Sequence, residues 1–205
     1  MLVLDHIVVA AETLADGAAH VQAALDVELS DVGIHDRMGT HNRLLSLGVG
    51  LYLEVIAINP DAPTPAQARW FDLDSFRGPA MLTNWVLRTD DLAAALAVAP
   101  PGVGAPISFV RGPYLWQMGV PPDGRLPFDG AAPALIEWES ALHPAEQLPD
   151  RGCRLEGLTV EHPDAEALVA AWPALGRVAG VRVVTGPVKR LWAEIDTPSG
   201  RRFLA

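Results

Sequence analysis

The sequence predicts an α+β fold built from tandem βαβββ modules. Three observations support this prediction: short β-branched runs of strand length, an amphipathic helix after the first run of each group, and recurrence of the same element order along the chain. With 205 residues, half of them apolar, the chain is long enough to bury one sizeable core. We therefore expect one compact domain built from repeated modules.

The first module is predicted over residues 1–59. A strand over 4–10 is followed by a helix over 13–25, whose apolar residues fall on one stripe. Three further strands are predicted over 28–35, 42–47 and 51–58. Since the helix and the two middle strands return the chain to its start, we expect the first and last strands to pair antiparallel.

Two further modules follow a break in the pattern. Residues 60–80 are rich in proline and form a connecting segment. The element order then restarts at 81, which predicts a second module over 81–150, and again after 150, which predicts a third, shorter βαβββ-like module over 151–205.

Composition excludes several classes of protein. The net charge is −10 and no basic stripe is present, so we expect no nucleic-acid partner. No apolar stretch approaches the roughly 20 residues that span a bilayer, which argues against a membrane protein. The first residues carry no basic segment of a signal peptide, and Cys153 is the one cysteine, so no intrachain disulfide is expected. These features predict a cytoplasmic protein.

Two polar residues, His6 and Glu54, lie inside apolar strand runs. Burial of an imidazole and a carboxylate is costly unless a partner compensates them. A shared divalent metal would do so, because both groups are ordinary metal ligands. A hydrogen-bonded His6–Glu54 pair without any metal is the structural alternative, and the sequence leaves both open.

Alignment of the modules adds Glu137 at the position of Glu54 and Asn84 at the position of His6. Two facing modules would bring these four side chains to one site, which suits zinc, manganese, iron(II), nickel or cobalt. Such an ion would polarise a substrate oxygen as a Lewis acid. Glu137 or Glu54 would instead serve as a general base if the substrate carries an acidic C–H group.

Substrate contacts are predicted from a polar segment between two strands and from the tryptophans of the second module. Segments positioned by rigid strands often carry binding groups, although a polar hairpin explains the first set equally well. Tryptophans in strand runs either pack in the core or line an apolar cavity. The candidates are His41, Asn42, Arg43, Asn84, Trp85, Trp116 and Trp138.

The motifs Leu-Asp-His-Ile-Val-Val at 4–9, Tyr-Leu-Glu-Val-Ile at 52–56 and Leu-Ile-Glu-Trp at 135–138 resemble the vicinal oxygen chelate superfamily, and within it the glyoxalase-like domain family. The resemblance implies paired modules that form a curved mixed sheet around a central cleft, and enzymes that bind vicinal substrate oxygens on a metal. It implies His6, Glu54 and Glu137 as ligands. Asn84 departs from the histidine or similar ligand that the superfamily usually has at that position.

The resemblance implies a metal-dependent lyase, isomerase or dioxygenase that acts on a small oxygenated molecule. Other members of the superfamily bind drugs without a metal, so the alternative is a metal-free protein that sequesters a drug-like ligand. His6 and Glu54 favour the enzyme, whereas Asn84 favours the binding protein. The third module has Gly157 at the ligand position; it is expected to cover a sheet edge or to form a homodimer interface.

Overall fold

A computed structural model describes all 205 residues and contains twelve strands in two sheets. The strands are β1 (Val3–Ala10), β2 (Gly33–His35), β3 (Thr40–Ser46), β4 (Tyr52–Ile58), β5 (Met81–Arg88), β6 (Ala105–Arg111), β7 (Tyr114–Val120), β8 (Ala134–Trp138), β9 (Arg154–His162), β10 (Val181–Thr185), β11 (Arg190–Thr197) and β12 (Gly200–Leu204). The helices are α1 (Leu14–Leu25), α2 (Leu92–Ala97), α3 (Pro144–Gln147) and α4 (Ala165–Ala171). None of these helices has the length and apolar character needed to span a bilayer.

The larger sheet has eight strands in the order β2-β3-β4-β1-β5-β8-β7-β6. Its two halves repeat the same order outward from the central antiparallel pair, β1 and β5. The sheet curves so strongly that its edge strands meet, since Arg111 at the end of β6 is 3.2 Å from the ring of His35 at the end of β2. The predicted α+β fold with a curved mixed sheet around a cleft is confirmed.

Strand direction corrects one prediction. β1 and β4 pair in parallel, with His6 opposite Tyr52 and Val8 opposite Glu54, and not antiparallel as predicted. β2, β3 and β4 alternate in direction, so the third of them runs the same way as β1. The antiparallel neighbour of β1 is β5, from the second module. His6 and Glu54 are therefore diagonal neighbours on adjacent parallel strands.

The third module keeps the predicted order of elements but not the pairing of the other two. Its four strands form a separate sheet in the order β10-β9-β11-β12. Here the strand after the helix, β10, lies parallel to and directly beside β9, whereas β2 in the first module lies at the far edge of its sheet. β11 packs against β5 and β12 against α1, so this sheet covers the outside of the larger one.

Local sequence explains how α1 is positioned. Thr13 caps it by accepting a hydrogen bond from the backbone N–H of Asp16, and the helix ends at Asp26 in a left-handed conformation. The predicted apolar stripe is buried on the sheet and ends at Leu25. Buried residues of both sheets belong to one continuous apolar core, which makes the molecule a single packed unit.

Candidate functional site

β1 and β4 place His6 and Glu54 on the wall of a cavity enclosed by the larger sheet. Nε2 of His6 is 3.7 Å from Oε2 of Glu54, and both residues are almost completely buried. The cavity has a volume of about 360 Å³, part of it open to solvent. The two side chains singled out in the sequence thus face each other across adjacent strands.

Asp5 orients His6 through the ring nitrogen that points away from Glu54. Its carboxylate is fully buried and accepts hydrogen bonds from His6 Nδ1 at 2.6 Å, His143 Nε2 at 2.9 Å and Trp138 Nε1 at 3.0 Å. Burial raises the pKa of Asp5, but the hydrogen bonds from His143 and His6 outweigh burial and hold that pKa below its ordinary value. An ionised carboxylate on Nδ1 leaves Nε2 of His6 turned toward Glu54.

Hydrogen bonds on the side away from His6 hold the carboxylate of Glu54 in place. Its Oε1 accepts a hydrogen bond from Nδ2 of Asn42 at 2.6 Å, and Oδ1 of Asn42 accepts one from Nη1 of Arg111 at 3.1 Å. Arg111 belongs to the second module and reaches the site across the closed end of the sheet. Only Oε2 of Glu54 remains available, and it faces His6.

His35 is a second buried imidazole in the cavity, but its Nε2 already accepts hydrogen bonds from neighbouring side chains. Arg111 Nη1 lies 3.2 Å from this nitrogen and Asn42 Nδ2 lies 3.4 Å from it, so Nε2 accepts and Nδ1 donates to Thr40 Oγ1 at 3.1 Å. Burial, together with the charge of Arg111, lowers the pKa of His35 well below its ordinary value. His35 is therefore a neutral structural ring here.

The remaining wall of the cavity is mostly aromatic. Tyr52 stacks on His6 with ring centroids 4.5 Å apart, and Trp116 packs on Trp138 at 5.5 Å. Trp70 and Phe71, from the connecting segment, close the wall near His35. An apolar enclosure with a few convergent polar groups is typical of sites for small molecules.

Glu137 does not lie in this cavity, and the prediction that it shares a site with His6 and Glu54 is wrong. Its Oε2 accepts a hydrogen bond from the backbone N–H of Leu92 at 2.7 Å, at the start of α2. Ile136 and Trp138, on either side of it in β8, line the cavity instead. Because successive strand residues point to opposite faces, an alignment shifted by an odd number of residues moves a side chain out of the site.

The pairing registers identify the true counterpart of Glu54. Val86 lies opposite Ala134 on β8, just as Val8 lies opposite Glu54 on β4. Ala134 therefore occupies the position of Glu54, and an alanine offers no ligand. Asn84 lines a different cavity, where its Nδ2 is 3.5 Å from the carbonyl oxygen of Gly130. The second module brings no metal-ligating side chain to His6.

The predicted substrate contacts divide between the two faces of their strands. Asn42, Trp116 and Trp138 line the cavity. His41 and Arg43 flank Asn42 in β3 and therefore point to the other face. Trp85 is fully buried outside the cavity, and its Nε1 donates to the carbonyl oxygen of Ala131 at 2.9 Å.

Sequence reasoning missed several residues of the site, among them Asp5, His35 and Arg111. A signal for Asp5 existed, because it is an acidic residue beside the singled-out histidine within the same apolar run. No feature of the neighbouring sequence points to Arg111, because its contacts with His35 and Asn42 depend on the closure of the sheet.

The donors that remain for a metal are Nε2 of His6 and Oε2 of Glu54. No group of three or more histidine, cysteine, aspartate or glutamate side chains could hold an ion. Metal–ligand bonds of about 2.0–2.2 Å let two ligands of one ion lie up to about 4 Å apart, so 3.7 Å is within reach. A carboxylate on the other ring nitrogen is usual for metal-binding histidines. The pair thus fits a divalent ion held at two points.

This architecture can be compared with known proteins. The sequence profile described as a glyoxalase-like domain matches residues 4–176. The chain belongs to the glyoxalase-like domain family. The family predicted from the motifs is thereby confirmed. Among curated proteins, none has a significant sequence match to this glyoxalase-like chain.

Several solved structures are similar to this one. A hypothetical protein from Staphylococcus aureus matches with a TM-score of 0.67 at 17% identity, over 93% of this chain and 88% of that one. Methylmalonyl-CoA epimerase from Mycobacterium tuberculosis has a TM-score of 0.45 at 16% identity, over 68% and 88%. A mutant of 4-hydroxymandelate synthase from Streptomyces coelicolor has a TM-score of 0.41 at 16% identity, over 71% and 52%. At 17% identity the match to the Staphylococcus aureus protein shows a shared fold alone.

Proposed function

We propose that this glyoxalase-like protein is an enzyme that binds a small oxygenated molecule at a divalent metal ion held by His6 and Glu54. The observation that carries the proposal is one continuous set of buried contacts from Asp5 through His6 and Glu54 to Asn42. A bound ion would act as a Lewis acid on a substrate oxygen.

The protein's own residues orient the two ligands. Asp5 fixes the ring of His6, and Asn42 occupies one oxygen of Glu54, so that one nitrogen and one oxygen remain free and adjacent. Side chains locked by such hydrogen bonds need no rearrangement when an ion or substrate arrives. The remaining ligand positions would be filled by water and by the oxygens of the substrate.

The lining of the cavity suggests the substrate class. Trp116 and Trp138 offer flat apolar surfaces, and Arg111 places a cation on the wall beside Asn42. A small molecule with vicinal oxygens and an apolar or aromatic body suits this combination.

The donor set favours a lyase or isomerase over a dioxygenase. Non-haem iron(II) oxygenases use two histidines and one carboxylate. Here His6 has a free ring nitrogen beside Glu54, whereas both ring nitrogens of His35 are hydrogen-bonded. One histidine nitrogen and one carboxylate oxygen would hold the ion, and the Lewis-acid chemistry that such an ion supplies suits a lyase or an isomerase.

Metal content tests the proposal. Protein without an affinity tag is analysed for bound elements as the wild type and as the variants His6→Ala, Glu54→Gln and Glu137→Gln. We expect the wild type and Glu137→Gln to retain the ion and the other two variants to lose it. Glu137→Gln is the matched control, because it changes the same chemical group on the other face of the sheet. Equal metal content in all four proteins would contradict the proposal.

A second candidate, a metal-free protein that binds a drug-like ligand, is favoured by Ala134 at the position of Glu54. On this alternative, His6 and Glu54 form a structural pair and the tryptophans hold the ligand. The same experiment separates the candidates. A wild type free of metal, whose tryptophan fluorescence is quenched by a small aromatic ligand and not after Trp116→Leu, would support the binding protein.

A further inference from the structure

A second cavity lies between the connecting segment, the second module and the third module. It has a volume of about 980 Å³ and opens to solvent. The connecting segment contributes Phe71 and Arg77, β5 contributes Thr83 and Asn84, and the loop before β11 contributes Lys189. Phe71 is the one residue that lines both this cavity and the His6–Glu54 cavity.

Lys189 is the only lysine of the chain, and its charge has no counter-ion in the protein. Its Nζ donates to the backbone carbonyl of Thr83 at 2.6 Å, and no carboxylate lies within 4 Å of it. Burial lowers the pKa of Lys189 to about 8, and the more distant Asp129 opposes this effect. A desolvated ammonium group is normally paired with an anion.

The other charges of the cavity do not supply that anion. Arg125 is paired with Asp72 at 3.2 Å and also donates to Ser75. Asp129 has a largely exposed side chain and lies 3.6 Å from the ring of His162. Arg77 adds a further positive charge to the wall. The cavity therefore carries an excess of positive charge in a protein whose net charge is −10.

The backbone around the cavity is strained on two sides. Phe71 and Asp72 have φ of 59° and 53°, and Phe128 and Asp129 have φ of 55° and 54°. These are four of the five non-glycine residues with positive φ, a conformation that is costly for a phenylalanine and that clusters at binding sites. Both pairs lie in segments that wall the cavity.

We propose that this cavity binds the anionic group of a small molecule, a carboxylate or a phosphate, on the ammonium group of Lys189. The anion supplies the missing counter-charge, and Arg77 and the amide of Asn84 lie on the same wall. The site is separate from the His6–Glu54 pair and requires no metal, so it stands or falls independently of the function proposed above.

Calorimetric titration with two probes, inorganic phosphate and propionate, tests the proposal and distinguishes the two anion classes. The variants are Lys189→Met and the control Arg190→Met, which removes the same charge from a side chain stacked on Trp192 outside the cavity. At least one probe should bind the wild type and Arg190→Met equally. Loss of a charge-assisted hydrogen bond should weaken its binding to Lys189→Met by about tenfold or more.

A second measurement covers the case in which Lys189→Met does not fold. Reductive dimethylation with ¹³C-formaldehyde labels the single lysine, so its NMR resonance is resolved from that of the N-terminal amine. The anion should raise the pKa of Lys189 from about 8, since it stabilises the charged form. The proposal is overturned if neither probe binds the wild type at millimolar concentration, if Lys189→Met binds as well as the wild type, or if the pKa does not move.

Discussion

At the scale of single residues, Asp5 explains how a histidine can lie inside a buried strand. The imidazole of His6 has lost water on both sides, and the carboxylate of Asp5 replaces it on one. The same carboxylate also holds Trp138 and His143, so one buried charge orients three rings at the site. Removing that charge should therefore disturb His6 and also the ring of Trp138, which lines the cavity.

Asp5→Asn is expected to weaken binding of a divalent ion by about 10–100-fold, the usual effect of removing a carboxylate that supports a metal-binding histidine. Titration of the metal-free protein with zinc or manganese measures the change. Asp31→Asn, on an exposed loop, is the control for the loss of one negative charge. Unchanged affinity in Asp5→Asn would show that His6 is not a ligand.

His35 should make the fold sensitive to acid. Its pKa is lowered in the folded state, whereas the unfolded chain takes up a proton near the ordinary value of 6.5. The unfolded state therefore binds more protons below pH 6.5, and the free energy of unfolding should fall there by up to about 1.4 kcal/mol per pH unit. Above pH 6.5 His35 is neutral in both states, so the free energy of unfolding no longer depends on pH through this residue.

Urea unfolding of the wild type and His35→Gln across this range measures the effect. The variant should lose part of the slope, because glutamine does not titrate. His20→Gln, on α1, should keep the wild-type slope. Identical slopes for the wild type and His35→Gln would exclude His35 as the source.

At the scale of elements, β8 shows how strand alternation assigns different tasks to neighbouring residues. Ile136 and Trp138 line the cavity, and Glu137 between them accepts a hydrogen bond from the first turn of α2. A carboxylate at the start of a helix is favourable, because the first N–H groups lack partners within the helix. The role of Glu137 is therefore to fix α2 to the sheet.

Glu137→Ala should lower the free energy of unfolding by about 0.5–2 kcal/mol, the range for loss of a helix cap. Chemical denaturation measures this change. Glu139→Ala, an exposed carboxylate on the same chain segment, is the comparison and should have a smaller effect. If Glu137→Ala leaves stability intact but abolishes metal binding, the assignment to α2 is incorrect.

At the scale of the whole molecule, the cavity exists because the eight-stranded sheet nearly closes on itself. Arg111 bridges the edge strands through His35 and Asn42, and Arg37 donates to the carbonyl oxygen of Ser108 at 2.8 Å. The two modules share no hydrogen-bonded strand pair at this edge. Side chains therefore hold together the end of the sheet at which the site lies.

Arg111→Met should open this edge. The variant leaves Asn42 Oδ1 without a donor, which costs about 1–3 kcal/mol, and it leaves His35 Nε2 with only the longer contact to Asn42 Nδ2. Hydrogen exchange should accelerate in β2 and β6 and not in the central strands β1 and β5. Arg43→Met, on the other face of β3, is the control. Equal protection of β2 and β6 in both variants would contradict this account.

Much of the architecture followed from local patterns. Short apolar, β-branched runs predicted β1, β4, β5 and β8, and an apolar stripe that starts after Thr13 predicted α1. β2 is an exception, because the predicted strand over 28–35 is reduced to Gly33–His35 at a sheet edge. His6 and Glu54 could be recognised because a polar residue inside a buried strand is unusual whatever the pairing of the strands.

Local patterns predicted the tandem modules, the family and the two polar residues of the cavity wall, because each depends on residues close together in the chain or on a pattern that repeats. Three contacts could be seen only in the folded chain: Glu137 faces α2, Arg111 reaches His35, and Lys189 meets β5. The face of a strand depends on a register that can slip by one residue, and contacts across 76 or 106 positions depend on how the sheets close and pack.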